Sequence, residues 1–227
     1  MNKLLYKEFK LCLVMQIPLF FVFALMLLIP SYPYLVAGFF ACNAIFYSFS
    51  QAVVDNDVLF STLLPVSKAE IVRGKMRFVV LIHLAMLALY VPVIFLRHKL
   101  MADGNAAGVD ASLTLLAAAL VLFALFYAVF FPRYYRAPYR VGKHFLVSTL
   151  VIFGYVIVFE GFMIVCGAAR QANPFFEWVE THLDCVPATG EAWTAQLIAL
   201  AVGAAIYAGL NALTLRRAIR SFEELDL

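Results

Sequence analysis

An all-α integral membrane protein with six transmembrane helices is what this amino-acid sequence encodes. Three observations lead there: an extreme apolar content, charges that cut the chain into span-length blocks, and lysines and arginines that fall on one side of those blocks. Of 227 residues, 65% are apolar and 14% charged, and the mean hydropathy is +0.92. Soluble domains run near 45–50% apolar and about 25% charged. A soluble core of this length could not hide so much apolar surface, disorder is excluded for the same reason, and a coiled coil needs far more charge. At roughly 20 residues per crossing, about six helices fit, so one transmembrane domain, 1–227, is expected rather than a membrane anchor with a soluble catalytic domain.

The spans follow in order. No Lys, Arg, Asp or Glu occurs between Leu11 and Val54, a run of 44 residues. Pro30-Ser31-Tyr32-Pro33 divides it, because two prolines three apart cannot continue a helix and push the residues before them to extended geometry. The first span is therefore Leu11–Ile29 and the second about Tyr34–Val54. After the polar stretch Asp55–Arg77, the third is Phe78–Leu96, with Pro92 as a kink site. The fourth is about Ser112–Phe131, the fifth about Phe145–Cys166 and the sixth about Trp193–Leu215. The loop between the last two contains Asn173-Pro174-Phe175-Phe176-Glu177-Trp178-Val179-Glu180, whose aromatic side predicts a short amphipathic helix at the interface. Met1–Lys10 has no A-x-A-type cleavage site and runs on into a span, unlike a cleavable signal peptide.

Charge sets the orientation. With a cytoplasmic N-terminus, 14 of the 17 basic residues lie inside, and only Arg97, Lys99 and Arg170 lie outside. Cytoplasmic loops carry the Lys/Arg excess, so both termini are expected in the cytoplasm. Acidic residues divide as seven inside and six outside, with Glu160 alone within a span.

The segment between spans two and three carries the most information. Ser67 followed by Glu70 is a capping box, in which the hydroxyl accepts from the Glu70 N–H and the carboxylate reaches back. A short helix is expected to start after Ser67, with Ile71 and Val72 on its apolar side and Lys68, Arg73, Lys75 and Arg77 solvated. Such a helix is either a solvated connector or a docking element.

Two runs resemble the membrane subunits of ABC-2 type transporters, the small six-span permeases of bacterial exporters. One is Leu4-Leu5-Tyr6-Lys7-Glu8-Phe9-Lys10. The other is Leu64-Pro65-Val66-Ser67-Lys68-Ala69-Glu70-Ile71-Val72-Arg73-Gly74-Lys75, similar to the family's Leu-Pro-Val-Ser-Arg-x-Glu-Ile-Val pattern with Lys68 in place of the commoner Arg. The resemblance implies that the N-terminal segment lies along the inner membrane surface and that the second run forms a cytoplasmic coupling helix. That helix would sit on a separate ATP-binding subunit through Lys7, Glu8, Pro65, Ser67, Lys68, Glu70, Ile71, Arg73 and Lys75. It also implies a second permease copy or paralogue, a bacterial cytoplasmic membrane and an amphipathic cargo. Nucleic acid is not an expected partner.

The chain itself is not expected to hydrolyse ATP or hold a cofactor; ATP and magnesium belong to the partner. A P-loop needs Gly-x-x-x-x-Gly-Lys-Ser/Thr to cradle phosphates. The Gly-Lys pairs, Gly74-Lys75 and Gly142-Lys143, have Ala69 and Ala137 upstream and Met76 and His144 downstream. Metal chemistry lacks support, because His83, His98, His144 and His182 are scattered and Cys12, Cys42, Cys166 and Cys185 form no C-x-x-C pair. Cys166 and Cys185 are either bridged or free. An intramembrane carboxylate is expensive unless it faces protein or water. Glu160 is thus either a transport-path group or a group that snorkels or bonds a neighbouring helix. His83 in span three is a path group or, more often for a lone histidine, an interhelical hydrogen bond. Small residues at Ala201, Ala205 and Gly209, and at Ala117-Ala118-Ala119, suit close helix packing, within the bundle or between subunits. A secondary transporter or channel would want more intramembrane polar groups or inverted repeats. An intramembrane enzyme would want paired catalytic groups, and a membrane immunity or assembly protein would need neither.

Overall fold

The computed structural model describes residues 3–12, 16–101, 104–186 and 189–225, and these are mainly helical, with no strand among them. Helix α1 spans Lys3–Cys12, α2 Gln16–Phe21, α3 Leu35–Val54, α4 Asp57–Thr62, α5 Lys68–Leu100, α6 Leu113–Arg136, α7 Val141–Ala168, α8 Pro174–His182 and α9 Gly190–Glu223. Among the described residues, five segments are long and apolar enough to cross a bilayer: α3, α5, α6, Pro138–Ala168 and α9. The chain is a multi-pass helical membrane protein.

Expected spans two, four, five and six match these helices, with ends extended by a few residues. Two expectations need correction. The first span, Leu11–Ile29, is not one long helix. Its residues 13–15 lie outside the described residues, and the rest is α2 followed by a 3₁₀ segment, Val22–Leu28. Six α-helical and seven 3₁₀ residues reach about 23 Å, short of the roughly 30 Å hydrocarbon layer. Pro18 in its first turn removes a backbone donor. The second correction concerns the coupling segment. The helix capped by Ser67 is not short: it runs unbroken from Lys68 to Leu100, about 50 Å, and contains the third span. Nothing between Arg77 and Phe78 interrupts it, and Pro92 is tolerated within. The short helix of this region is α4, which follows a left-handed turn at Asn56 (φ 52°).

The Pro30–Pro33 break is real, with Ser31 in the left-handed region (φ 52°) and α3 beginning at Leu35. Helix α6 forms the centre, packed most closely on α9 and then on α7, α3 and α5. Its aromatic side chains fill the core: Phe49 of α3 meets Phe130, Phe131 and Tyr134 edge-on, with centroids 5.0, 5.5 and 4.6 Å apart. Edge-to-face pairs of this kind add about 0.5–1.5 kcal/mol beyond area burial.

The close approach of α6 and α9 depends on one glycine. A Cβ at Gly203 would lie 2.9 Å from the Ala117 carbonyl oxygen. The Ala117–Ala119 patch is buried there, whereas Ala201, Ala205 and Gly209 face outward. Small residues therefore serve both internal packing and an unpaired face. Cys166 and Cys185 are free thiols, as is Cys42.

Candidate functional site

The bundle has two polar ends. At the first, α1 lies against the start of α5 in three successive rungs. A Cβ at Gly74 would stand 3.2 Å from that of Leu4, so the glycine lets the helices touch. One turn on, Glu8 meets Lys75 at 2.8 Å. Phe9 then meets Phe78 edge-on, with centroids 5.2 Å apart.

Helix α4 adds Asp57, which pairs with Lys7 at 2.6 Å and Lys75 at 3.5 Å. Lys7 also reaches Glu8 at 3.2 Å and donates to the Ser61 hydroxyl at 2.7 Å. The Lys75 ammonium sits over the Phe49 ring, 5.1 Å from its centroid. Two cations and two anions thus close a cluster in which Glu8 and Lys75 are each only 2% exposed. Burial alone would raise the Asp57 pKa, but Lys75 and Lys7 outweigh it and hold the carboxyl below its ordinary value. Burial pulls the Lys7 pKa down, and Glu8 and Asp57 together push it above the usual lysine range.

Beyond this cluster the chain turns outward. Leu63, Leu64 and Pro65 are exposed, and Ser67 begins α5 with a complete capping box. The Glu70 N–H donates to Ser67 Oγ at 3.2 Å, and the Ser67 N–H donates to Glu70 Oε2 at 2.9 Å. The Ser67 backbone N–H, with its hydroxyl, keeps the Glu70 carboxyl below the ordinary range. Lys68 donates to the Leu225 carbonyl at 2.7 Å and lies over the Phe222 ring, which ties the end of α9 to the start of α5. Both termini of the described chain therefore meet at this end.

Of the residues expected to face a partner, Pro65, Ser67, Glu70 and Arg73 are exposed and Lys68 is half-buried. Lys7, Glu8, Ile71 and Lys75 turn inward instead. Lys75, expected to be solvated, is buried instead, because it shares a helical face with Ile71, Phe78 and Val79. Asp57 and Ser61 carried no sequence signal, since their partners come from distant segments.

The opposite end is organised around Glu160, which is 4% exposed. Its Oε1 accepts from the Leu35 N–H at 2.9 Å and its Oε2 from the Val109 N–H at 2.7 Å. Leu35 opens α3, so the carboxylate caps that helix from another span and satisfies one of its orphan donors. Gly108 makes the approach feasible, with φ +141° and an added Cβ that would fall 1.8 Å from Glu160 Oε2.

Around it, Asn105 donates to the Tyr32 and Val109 carbonyls, and the Asp110 N–H donates to Asp184. Gln196 bridges the Leu113 N–H and the Cys185 carbonyl. Arg97 lies over the Tyr34 ring. Burial pushes the Asp184 pKa up to about 7, against the Asp110 N–H bond, and the carboxylates of Asp110, Glu160 and Glu180 add to the rise. A cleft of about 780 Å³ opens beside Asp110, Asp184, Arg170 and Glu180.

His83 lies between the two ends. It is fully buried, stacks on Phe123 at 4.1 Å and bonds the Tyr127 hydroxyl of α6. The structure places His83 in an interhelical hydrogen bond and Glu160 on two backbone amides. Among the described residues, no three His, Cys, Asp or Glu side chains gather in a metal-binding group.

These features define a class: a multi-pass helical membrane protein of the transport type, whose N-terminal helix is ion-paired to the first long interhelical loop. A family model described as "ABC-2 family transporter protein" matches residues 3–186, from α1 through α8. The chain belongs to the ABC-2 transporter family, a membrane transport component that normally works with an ATP-binding subunit and is generally non-catalytic. No curated protein and no solved structure matches the chain.

Proposed function

We propose that this chain is the permease subunit of an ATP-driven exporter in a bacterial cytoplasmic membrane. The observation that carries the reading is the form of α5. A capped helix starts in an exposed loop and continues without a break across the bilayer. A push on its first turn is therefore transmitted as a rigid-body movement of a span. The exposed rim of Leu63, Leu64, Pro65, Ser67 and Glu70 is the surface offered to a separate ATP-binding subunit, which holds ATP and magnesium. Lys7, Glu8 and Lys75 act behind that surface by fastening α1 and α4 to α5, so that all three move together.

The 14 to 3 division of basic residues supports a cytoplasmic position for this end. In this arrangement the apolar segment Ile17–Leu28, lengthened by the residues flanking it in 11–29, completes a sixth crossing, and a second permease copy completes the pathway. An interior of few charges suits an amphipathic cargo such as a peptide, an antimicrobial or a lipid-like molecule.

The test is co-expression with the neighbouring ATP-binding cassette protein and co-purification in detergent. Glu70→Lys with Pro65→Glu is expected to lower the yield of complex and the permease-stimulated ATPase rate at least tenfold, with normal membrane insertion. Undiminished stimulation by that variant would refute the assignment of the surface.

A further inference from the structure

A groove between the first turns of α5 and the last turns of α9 has no part in the cluster or in the rim. Its volume is about 380 Å³, and it is lined by Arg73, Arg77, Met76, Val80, Asn211 and Leu215. Arg73 and Arg77 are four residues apart on one helix, so their side chains rise from the same face about 6 Å apart. Both are exposed, and among the described residues neither makes an ion pair.

The opposite wall carries Asn211, whose Oδ1 is buried without a hydrogen-bond partner. Because α9 runs antiparallel to α5, Leu215 lies near the level of the arginines and Asn211 one turn deeper, beside Val80; Met76, Val80 and Leu215 make the rest of the lining aliphatic. Two unpaired guanidinium groups above an apolar slot, at the depth where a span leaves the bilayer, form a specific combination. The charge suits a phosphate, which arginine grips with paired N–H donors. The slot suits an acyl chain.

We propose that this groove binds one anionic phospholipid of the adjoining leaflet, with the phosphate on Arg73 and Arg77 and an acyl chain along Met76, Val80 and Leu215. Basic pockets between spans hold anionic headgroups by the same physics. Arg73, expected to face the partner, and Arg77 both line this groove against α9, whereas the exposed rim lies before them at residues 63–70. A lipid wedged here would join α5 to α9 on the side away from the Lys68–Leu225 contact.

The experiment uses the full-length chain in nanodiscs and in detergent. Native mass spectrometry after detergent extraction is expected to show about one retained phosphatidylglycerol per chain and little phosphatidylcholine. Arg73→Gln with Arg77→Gln should weaken retention about thirtyfold, from roughly tenfold or less per lost charge. Arg73→Lys with Arg77→Lys, which keeps the charge and guards against misfolding, should retain most of it. Equal retention of the two lipids, or unchanged phosphatidylglycerol in the double glutamine variant, would overturn the proposal. So would thermal protection by inorganic phosphate alone equal to that by phosphatidylglycerol, because the groove would then be an anion site without use for the chain.

Discussion

The two polar ends of the bundle bury charge by opposite means. At the first end, side chains answer side chains: Lys7 and Lys75 against Glu8 and Asp57. At the other, the Glu160 carboxylate answers backbone amides of α3 and of the loop before α6. The first arrangement joins separate helices by groups that can part and re-form, which suits an element that must move with a partner. The second pins a helix start and a loop to a neighbouring span by atoms that have no rotamers, which suits a fixed lid. On the proposed function, the end with α1 is the one that moves and the end with Glu160 the one that stays fixed.

The comparison breaks most visibly if the cluster is opened. Lys75→Leu leaves the buried Glu8 and Asp57 to share Lys7 alone, so one carboxylate is no longer balanced, a loss of about 3–5 kcal/mol for a broken buried pair. The expected result is a markedly lower thermal midpoint and fast amide exchange in α1. Arg170→Gln is the control, since Arg170 meets Glu180 at 2.6 Å but is more than half exposed, and such pairs contribute about 0–1 kcal/mol. Similar effects from the two variants would mean that the cluster is not a buried network at all.

At the opposite end, Glu160→Gln should cost about 1–3 kcal/mol, because an amide presents donors to one of two amide N–H groups. Gly108→Ala should cost a comparable amount from its positive φ, and more from the collision with Glu160 Oε2. Glu160→Ala should relieve part of that collision, so the double variant is expected to be less harmful than the sum of the two. Strict additivity in thermal midpoints would show that the two residues do not touch. Neither Glu160→Gln nor Gly108→Ala should accelerate exchange in α1.

Much of this arrangement is legible in the chain. Span-length apolar blocks, the Pro30–Pro33 break, the Ser67–Glu70 box and the amphipathic α8 all follow from local rules of periodicity and capping. The 3₁₀ winding of Val22–Leu28 does not, because nothing in an apolar run states its pitch. Nor does the continuity of α5: charge ends at Arg77, and a hydropathy boundary was taken for a helix boundary, although backbone hydrogen bonding is indifferent to that change of side chain. Glu160 announced itself as an oddity, yet its partners are N–H groups, which every residue has and no sequence distinguishes. Glu8 and Asp57 are 49 positions apart, so only the fold reveals their common cation.

The ends should also respond to pH in opposite senses. Asp57 is held below its unfolded value of about 3.9, so its contribution is present above that value and is lost as pH falls through the lower folded pKa. Lys7 is raised, so its contribution is present at neutral pH and disappears only as pH rises through its folded value. Asp184 is the reverse of Asp57. Its folded pKa of about 7 means that the folded state holds a proton which the unfolded chain releases near 4, so stability declines as pH rises from about 4 to 7. Once the base-catalysed intrinsic rate is divided out, amide protection around Asp184 and α8 is expected to be higher at pH 5 than at pH 8, and protection in α1 equal at both. Parallel responses at the two ends would contradict the contrast, and Asp184→Asn should abolish the pH dependence of its own end alone.

The smallest effect tests whether motion enters where the rim is placed. Ser67→Ala removes one half of the capping box and should cost about 1 kcal/mol. Because α5 is long and packed along its length, that loss is confined to its first turn. The whole protein should unfold within a few degrees of the unaltered chain, while exchange at Ala69, Glu70 and Ile71 accelerates. If α5 transmits force as a rod, a frayed first turn lowers coupling to the ATP-binding subunit without lowering complex formation, since Pro65 and the exposed leucines remain. An unaltered ATPase stimulation with a demonstrably frayed turn would move the point of force entry from the start of α5 to α4, whose Asp57 is still ion-paired to Lys75.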